Sequence, residues 1–231
     1  ESDGSILCWS IVTGTICDAP SNLASPTSHL AMDPFGILWA AGPGYLHSND
    51  GTGWQEVASS SSLQDWPDEI VTDIHFLGSE VLISTNGGGI ARWNSVSNSL
   101  LGIWSTANHL PSDHISVLEE KYGTLFVGTF DEGLARKDLN SGNWLAVWHD
   151  DNWLSSNNIV DLSTHGDSIS ILTNVGLHVY DVIQSSFTGN SMMSAMGLNQ
   201  DGMDLISWPT GGLRAPLESA LMVSDGSGKL A

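Results

Sequence analysis

Residues able to do acid–base chemistry are spread along this chain rather than gathered in one signature. The eight histidines, His29, His47, His75, His109, His114, His149, His165 and His178, share no metal-ligand spacing. Cys8 and Cys17 have neither C-x-x-C spacing nor a nearby histidine pair, so no metal site and no cofactor is expected. No G-x-S-x-G, H-E-x-x-H or S-x-x-K arrangement occurs, which removes the local signatures of common hydrolases. Two carboxylates can still divide the acid and base roles if burial splits their pKa values. The set that would do so is His29 or His114 with Asp113, Asp131 or Glu132, in the manner of a lyase or glycosidase. The run Gly87-Gly88-Gly89 precedes Ile90-Ala91-Arg92-Trp93, which reads as a strand, whereas a phosphate loop opens a helix. It is expected to be a plain strand turn.

The elements that must position these residues follow from an internal repeat. Residues 103–118 (IWSTANHLPSDHISVL) match residues 147–162 (VWHDDNWLSSNNIVDL), aligning Trp104 with Trp148, Asn108 with Asn152, Leu110 with Leu154, Ser112 with Ser156 and Ile115 with Ile159. Glycines mark the same units: Gly4, Gly36, Gly78, Gly123, Gly166 and Gly202 each open a β-rich run, with Gly228 starting a seventh. A second glycine follows each, at Gly14, Gly44, Gly89, Gly133, Gly176 and Gly212. The runs between them (SILCWS, ILWAAG, EVLIST, TLFVGT, SISILT, MDLISW) are rich in β-branched and aromatic residues.

Each unit therefore predicts four strands: an inner strand (residues 115–119 or 159–163), the run after the first glycine, a third after the second glycine (89–93, 133–137, 176–180), and an outer strand ending near Trp104 or Trp148. Such repeats are the signature of an all-β fold, a β-propeller of four-stranded antiparallel blades. Residues 1–231 are expected to form one propeller domain of about six blades, five to seven, with the termini sharing one blade. The rival expectation is a fragment of a larger propeller, because residues 225–231 begin another second strand.

In a four-stranded blade, the loop before the inner strand and the loop between second and third strands share one face. Those loops contribute Trp66, Asp68, Glu69, Asn86, Asp113, His114, Phe130, Asp131, Glu132, Trp153, Asn157, Asn158, Asn174 and Trp208. A rim of flat rings with amide and carboxylate acceptors suits a sugar or a peptide. Trp66, Phe130 and Trp208 are expected to be exposed, while Trp104 and Trp148 read as packing between blades, and Trp153 is open to either role. His29 and His114 open inner strands and should face the central channel, where polar side chains also serve purely structural hydrogen bonding.

Composition narrows the partners. Six Lys and Arg stand against 26 Asp and Glu, a formal charge of −20 over 231 residues, with no basic cluster. A nucleic acid or an anionic membrane is therefore not expected as a partner, because phosphate binding needs a basic patch. The apolar runs at 99–104 and 123–130 are far shorter than the ~20 residues of a membrane-crossing helix, so no direct membrane insertion is expected. The chain starts at Glu1 without Met or an apolar leader and reads as a processed product or an excised piece. Acidity, ten Trp and few Lys fit a secreted or periplasmic protein. Cys8 and Cys17 flank the turn near Thr13-Gly14 and admit two readings, a cross-strand disulfide or two buried thiols.

Several stretches resemble the two-component-regulator propeller repeat: Leu110-Pro111-Ser112-Asp113-His114-Ile115, Asp33-Pro34-Phe35-Gly36-Ile37-Leu38-Trp39, Gly123-Thr124-Leu125-Phe126-Val127-Gly128-Thr129 and Gly88-Gly89-Ile90. The resemblance covers most of residues 28 to 182. It implies a propeller from an extracytoplasmic sensor region, of a kind implicated in recognising carbohydrates, without implying signalling. Ser48-Asn49-Asp50-Gly51-Thr52-Gly53-Trp54 is similar to a shortened Asp-box, a structural turn in other propellers. Together these features predict a non-catalytic module binding a carbohydrate or a protein or peptide ligand on its loop face. The alternatives are the lyase or glycosidase above and an assembly module with no small ligand.

Overall fold

The computed structural model describes residues 9–10, 15–16, 27–63, 65–67, 69–192, 206–207, 213–216 and 221–223. These divide between two compact units, Glu1–Trp104 and Ser105–Ala231.

In the first unit, β1 (Trp9–Ser10) pairs antiparallel with β2 (Thr15–Ile16), Trp9 opposite Ile16. The pairing is the one expected around Thr13-Gly14; Cys8 and Cys17 lie outside the described residues. A four-stranded antiparallel sheet follows in sequence order, β3 (His29–Met32), β4 (Leu38–Gly42), β5 (Tyr45–Asn49) and β6 (Trp54–Ser59). A second has the same order, β7 (Val71–Leu77), β8 (Glu80–Thr85), β9 (Ile90–Asn94) and β10 (Ser99–Trp104). Trp39, Leu46, Trp66, Ile74, Ile83 and Trp93 pack in one core.

In the second unit, a 3-10 turn at Thr106–Asn108 leads into β11 (Ile115–Lys121), β12 (Thr124–Thr129) and β13 (Leu134–Asp138). The outer place of this sheet is held by isolated bridges, Leu134 with Trp148 and Lys137 with Trp144. The expected fourth strand ending at Trp148 is thus an irregular arm. The next sheet is complete, β14 (Ile159–His165), β15 (Ser168–Thr173), β16 (Gly176–Asp181) and β17 (Ser186–Met192). A three-stranded antiparallel sheet of β18 (Ile206–Ser207), β19 (Leu213–Pro216) and β20 (Leu221–Val223) comes last.

These sheets, with a single short 3-10 turn as the helix among the described residues, are those of a propeller-like fold. The second strands explain why the β-rich runs do not alternate. In β8, β12 and β15 every residue after the first is buried. Successive side chains point to opposite faces, so both faces of these strands are covered. Gly128 on β12 shows how close the covering is, since a Cβ there would lie 2.8 Å from both Val117 on β11 and Ile159 on β14. Three first strands, β7, β11 and β14, share one irregularity, a register shift at Val71/Asp73, Ile115/Val117 and Ile159/Asp161, whereas β3 pairs with β4 in unbroken register.

Candidate functional site: a row of loop ends

The loop motifs are built by side chains that satisfy main-chain N–H groups. In the Leu110-Pro111-Ser112 repeat, Asn108 Oδ1 accepts from Ser105 N at 2.8 Å, and Asn152 Oδ1 accepts from His149 N at 2.8 Å. Leu110 and Leu154 plug the core beneath, and Ser112 Oγ and Ser156 Oγ accept from His114 N and Asn158 N. Asp113 and Asn157 then reach back across the loop. The Asp113 carboxylate accepts from Thr106 N at 2.7 Å and Thr106 Oγ1 at 2.8 Å, while Asn157 Oδ1 accepts from Asp150 N at 2.9 Å. Both side chains therefore hold the loop as well as standing on its face.

The second-to-third strand turns are closed by a buried threonine. Thr85 Oγ1 and Thr129 Oγ1 donate to Gly89 O and Gly133 O and accept from Gly88 N and Glu132 N. Gly87-Gly88-Gly89 is accordingly the strand turn expected. The Asp-box-like loop is a turn too, with Asn49 Oδ1 accepting from Gly51 N at 2.8 Å and Asp50 Oδ1 from Thr52 N at 3.0 Å.

The two loop sets meet through main-chain hydrogen bonds. Asn86 N donates to Ile70 O in the first unit; Phe130 N donates to His114 O and Asn174 N to Asn158 O in the second, at 2.9 to 3.1 Å. Gly133 N donates to Asn157 O at 2.9 Å, joining the turn of one sheet to the entry loop of the next. In the second unit His114, Phe130, Asp131, Glu132, Asn157, Asn158 and Asn174 thus form one continuous row. His114, Phe130, Asp131 and Glu132 are exposed, Phe130 at 37%, and the three asparagines are half-buried. In the first unit Glu69 and Asn86 are exposed, and the Glu69 carboxylate lies against Gly88, where a Cβ would meet Oε2 at 2.5 Å. His29 opens β3 half-buried. Asp68 and Trp208 lie outside the described residues.

Trp66 corrects the sequence reading. It is 5% exposed and packs edge-on against Trp93 at 5.9 Å, so it belongs to the core rather than the rim. The reason is positional. Trp66-Pro67 stands where Leu110-Pro111 stands in the next unit, and the indole takes the place of the plugging leucine. Trp153, which the sequence leaves open between rim and packing, is 59% exposed and stacked on Phe187 at 5.8 Å and 12°. Trp148 is buried as expected, under the Arg136 guanidinium at 3.9 Å.

Two buried histidines sit in the scaffold. His178 Nε2 accepts from Ser155 N at 3.0 Å and contacts Ser155 Oγ at 2.9 Å. Burial holds its imidazole below the usual value, as it does for His47, where the Glu56 carboxylate opposes the shift. Among the described residues no three His, Cys, Asp or Glu converge as metal ligands would, and no helix is long and apolar enough to cross a membrane.

No family profile and no curated protein sequence matches the chain. Solved structures do. The computationally designed protein Ika8 is 18% identical, with 99% of this chain and 64% of that one covered at a TM-score of 0.67. The extracellular domain of the hybrid two component system BT3049 from B. thetaiotaomicron is 15% identical, with 89% of this chain and 29% of that one covered at 0.71. The corresponding domain of BT4673 from the same organism is 17% identical, with 99% and 29% covered at 0.69. The likeness is one of fold, and this chain spans under a third of the two extracellular domains' length.

Proposed function

We propose that this chain is an extracytoplasmic propeller module that recognises a carbohydrate or peptide on its loop face without transforming it. The observation carrying this reading is the row from His114 through Phe130, Glu132 and Asn157 to Asn174, tied end to end by main-chain bonds. Such ties fix the loops while leaving aromatic, amide and carboxylate side chains to contact a ligand. Likeness to extracellular domains of two component systems supports the location and the sensor-like role. In this reading residues 1–231 form a single ring of about six blades.

The test is a glycan array and a peptide library probed with the purified chain, followed by titration of each hit against Phe130→Ala and Asn158→Ala. Binding that falls at least tenfold in both variants supports the loop face. The absence of any hit weakened by either variant, or turnover of the ligand during titration, would overturn the reading.

A further inference from the structure

Arg92 and Arg136 occupy equivalent places in successive repeats. Each lies on a third strand, opposite Leu82 in one sheet and Phe126 in the other. Each guanidinium covers an outer tryptophan, Arg92 over Trp104 at 4.4 Å and Arg136 over Trp148 at 3.9 Å. Their countercharges differ. Arg92 is gripped by Glu80, Nε to Oε1 at 2.5 Å and Nη2 to Oε2 at 3.2 Å. The place of Glu80 is taken by Thr124 in the next sheet, since Glu80 pairs with Asn94 and Thr124 with Asp138. Among the described residues Arg136 has no carboxylate partner. Its Nη2 donates to Ala146 O at 2.8 Å, and its buried Nε has no acceptor.

Arg136 lines a cleft of about 550 Å³ with Trp148, Trp153, Tyr180, Ser186 and Phe187. That volume is in the range of small-ligand sites. Trp153, backed by the parallel Phe187 ring, is the exposed aromatic surface of the cleft. An indole face suits the C–H face of a sugar ring, and the hydroxyl of Ser186 can exchange hydrogen bonds with sugar hydroxyls. A guanidinium that meets no carboxylate among the described residues suits an acid group on a ligand.

We propose that this cleft, distinct from the row running from His114 to Asn174, binds a sugar residue bearing a carboxylate, its ring on Trp153 and its acid group on Arg136. The net charge of −20 disfavours long polyanions, so the fitting ligand is a short glycan with one acidic residue.

Calorimetric titration with a glucuronate-containing disaccharide and with its neutral glucose counterpart tests this. The acidic sugar should bind at least tenfold more tightly than the neutral one. Trp153→Ala and Arg136→Gln should each weaken it at least tenfold, with Arg136→Lys intermediate and Phe130→Ala unchanged. Because Arg136 packs on Trp148, thermal unfolding of its variants is measured alongside; the exposed Trp153→Ala carries the test if Arg136→Gln does not fold. Equal affinity for both sugars, no binding of either at millimolar concentration, or unchanged binding in Trp153→Ala would overturn the proposal. Loss in Phe130→Ala alone would place the sugar on the loop face and remove the cleft site.

Discussion

The Asp33 carboxylate accepts the indole N–H of Trp39 at 3.2 Å through Oδ2 while its Oδ1 accepts from Phe35 N and Ile37 N, both at 2.9 Å. One buried side chain thereby closes the β3–β4 turn and fixes a core tryptophan. Asp33→Ala leaves three donors without that acceptor and should cost about 1–3 kcal/mol. Chemical denaturation should show Asp33→Asn recovering part of the loss; equal stability of wild type and Asp33→Ala would contradict the assignment.

Trp66 and Trp153 should respond oppositely to truncation. Trp66→Ala opens a cavity in the first unit's core and should cost about 3–5 kcal/mol. Trp153→Ala removes an exposed ring from one stacked pair and should cost about 1 kcal/mol. Urea midpoints of the two variants check the ranking.

Gly133 has φ +81°, and a Cβ there would lie 2.1 Å from Trp148 O, the atom that accepts from Leu134 N. Gly142 has φ +74° with nothing within 4 Å. Gly133→Ala should therefore cost about 3 kcal/mol, combining strain with a backbone clash. Gly142→Ala should cost about 1 kcal/mol from strain alone. Thermal melts of the pair separate conformation from crowding.

Acid should weaken the fold before the carboxylates titrate. His47 and His178 have folded pKa values depressed by burial, so the unfolded chain takes up their protons first. Their contribution is fully present above the unfolded value of about 6.5 and is lost as pH falls from there through the folded values. The slope is at most about 1.4 kcal/mol per pH unit for each histidine. His178→Gln should flatten this limb in denaturation curves taken from pH 7.5 downwards, and an unchanged slope would remove His178 as a source.

Small-angle scattering addresses the ring. A single compact domain of this length should have a radius of gyration of about 17 Å. A clearly larger value, with a bimodal distance distribution, would mean that the chain does not close into one domain.

The repeat was legible because its residues meet local needs. Leu110, Leu154, Asn108, Asn152, Ser112 and Ser156 each serve a core plug or a main-chain N–H within their own loop, so spacing alone exposes them. Trp66 was misread because the plug changed residue type while keeping its position, and a tryptophan on a loop looks like a binding ring. The exposure of Trp153 and the role of Arg136 were not legible for a different reason. What distinguishes Trp153 is Phe187, 34 residues further along the chain, and what distinguishes Arg136 is Thr124 standing where the preceding repeat has Glu80, a difference that only the strand register exposes. The irregular arm at Trp148 was likewise invisible, since a tryptophan that bridges one residue reads the same as one that ends a strand.

The bonds that hold the loop row together run between peptide groups, His114 O to Phe130 N, Asn157 O to Gly133 N and Asn158 O to Asn174 N. Apart from Gly133, such links are indifferent to which side chain projects from each position. Except at Asn157, whose side chain also ties its own loop, the surface can therefore be rewritten residue by residue, acquiring a new specificity while the frame beneath stays as it is.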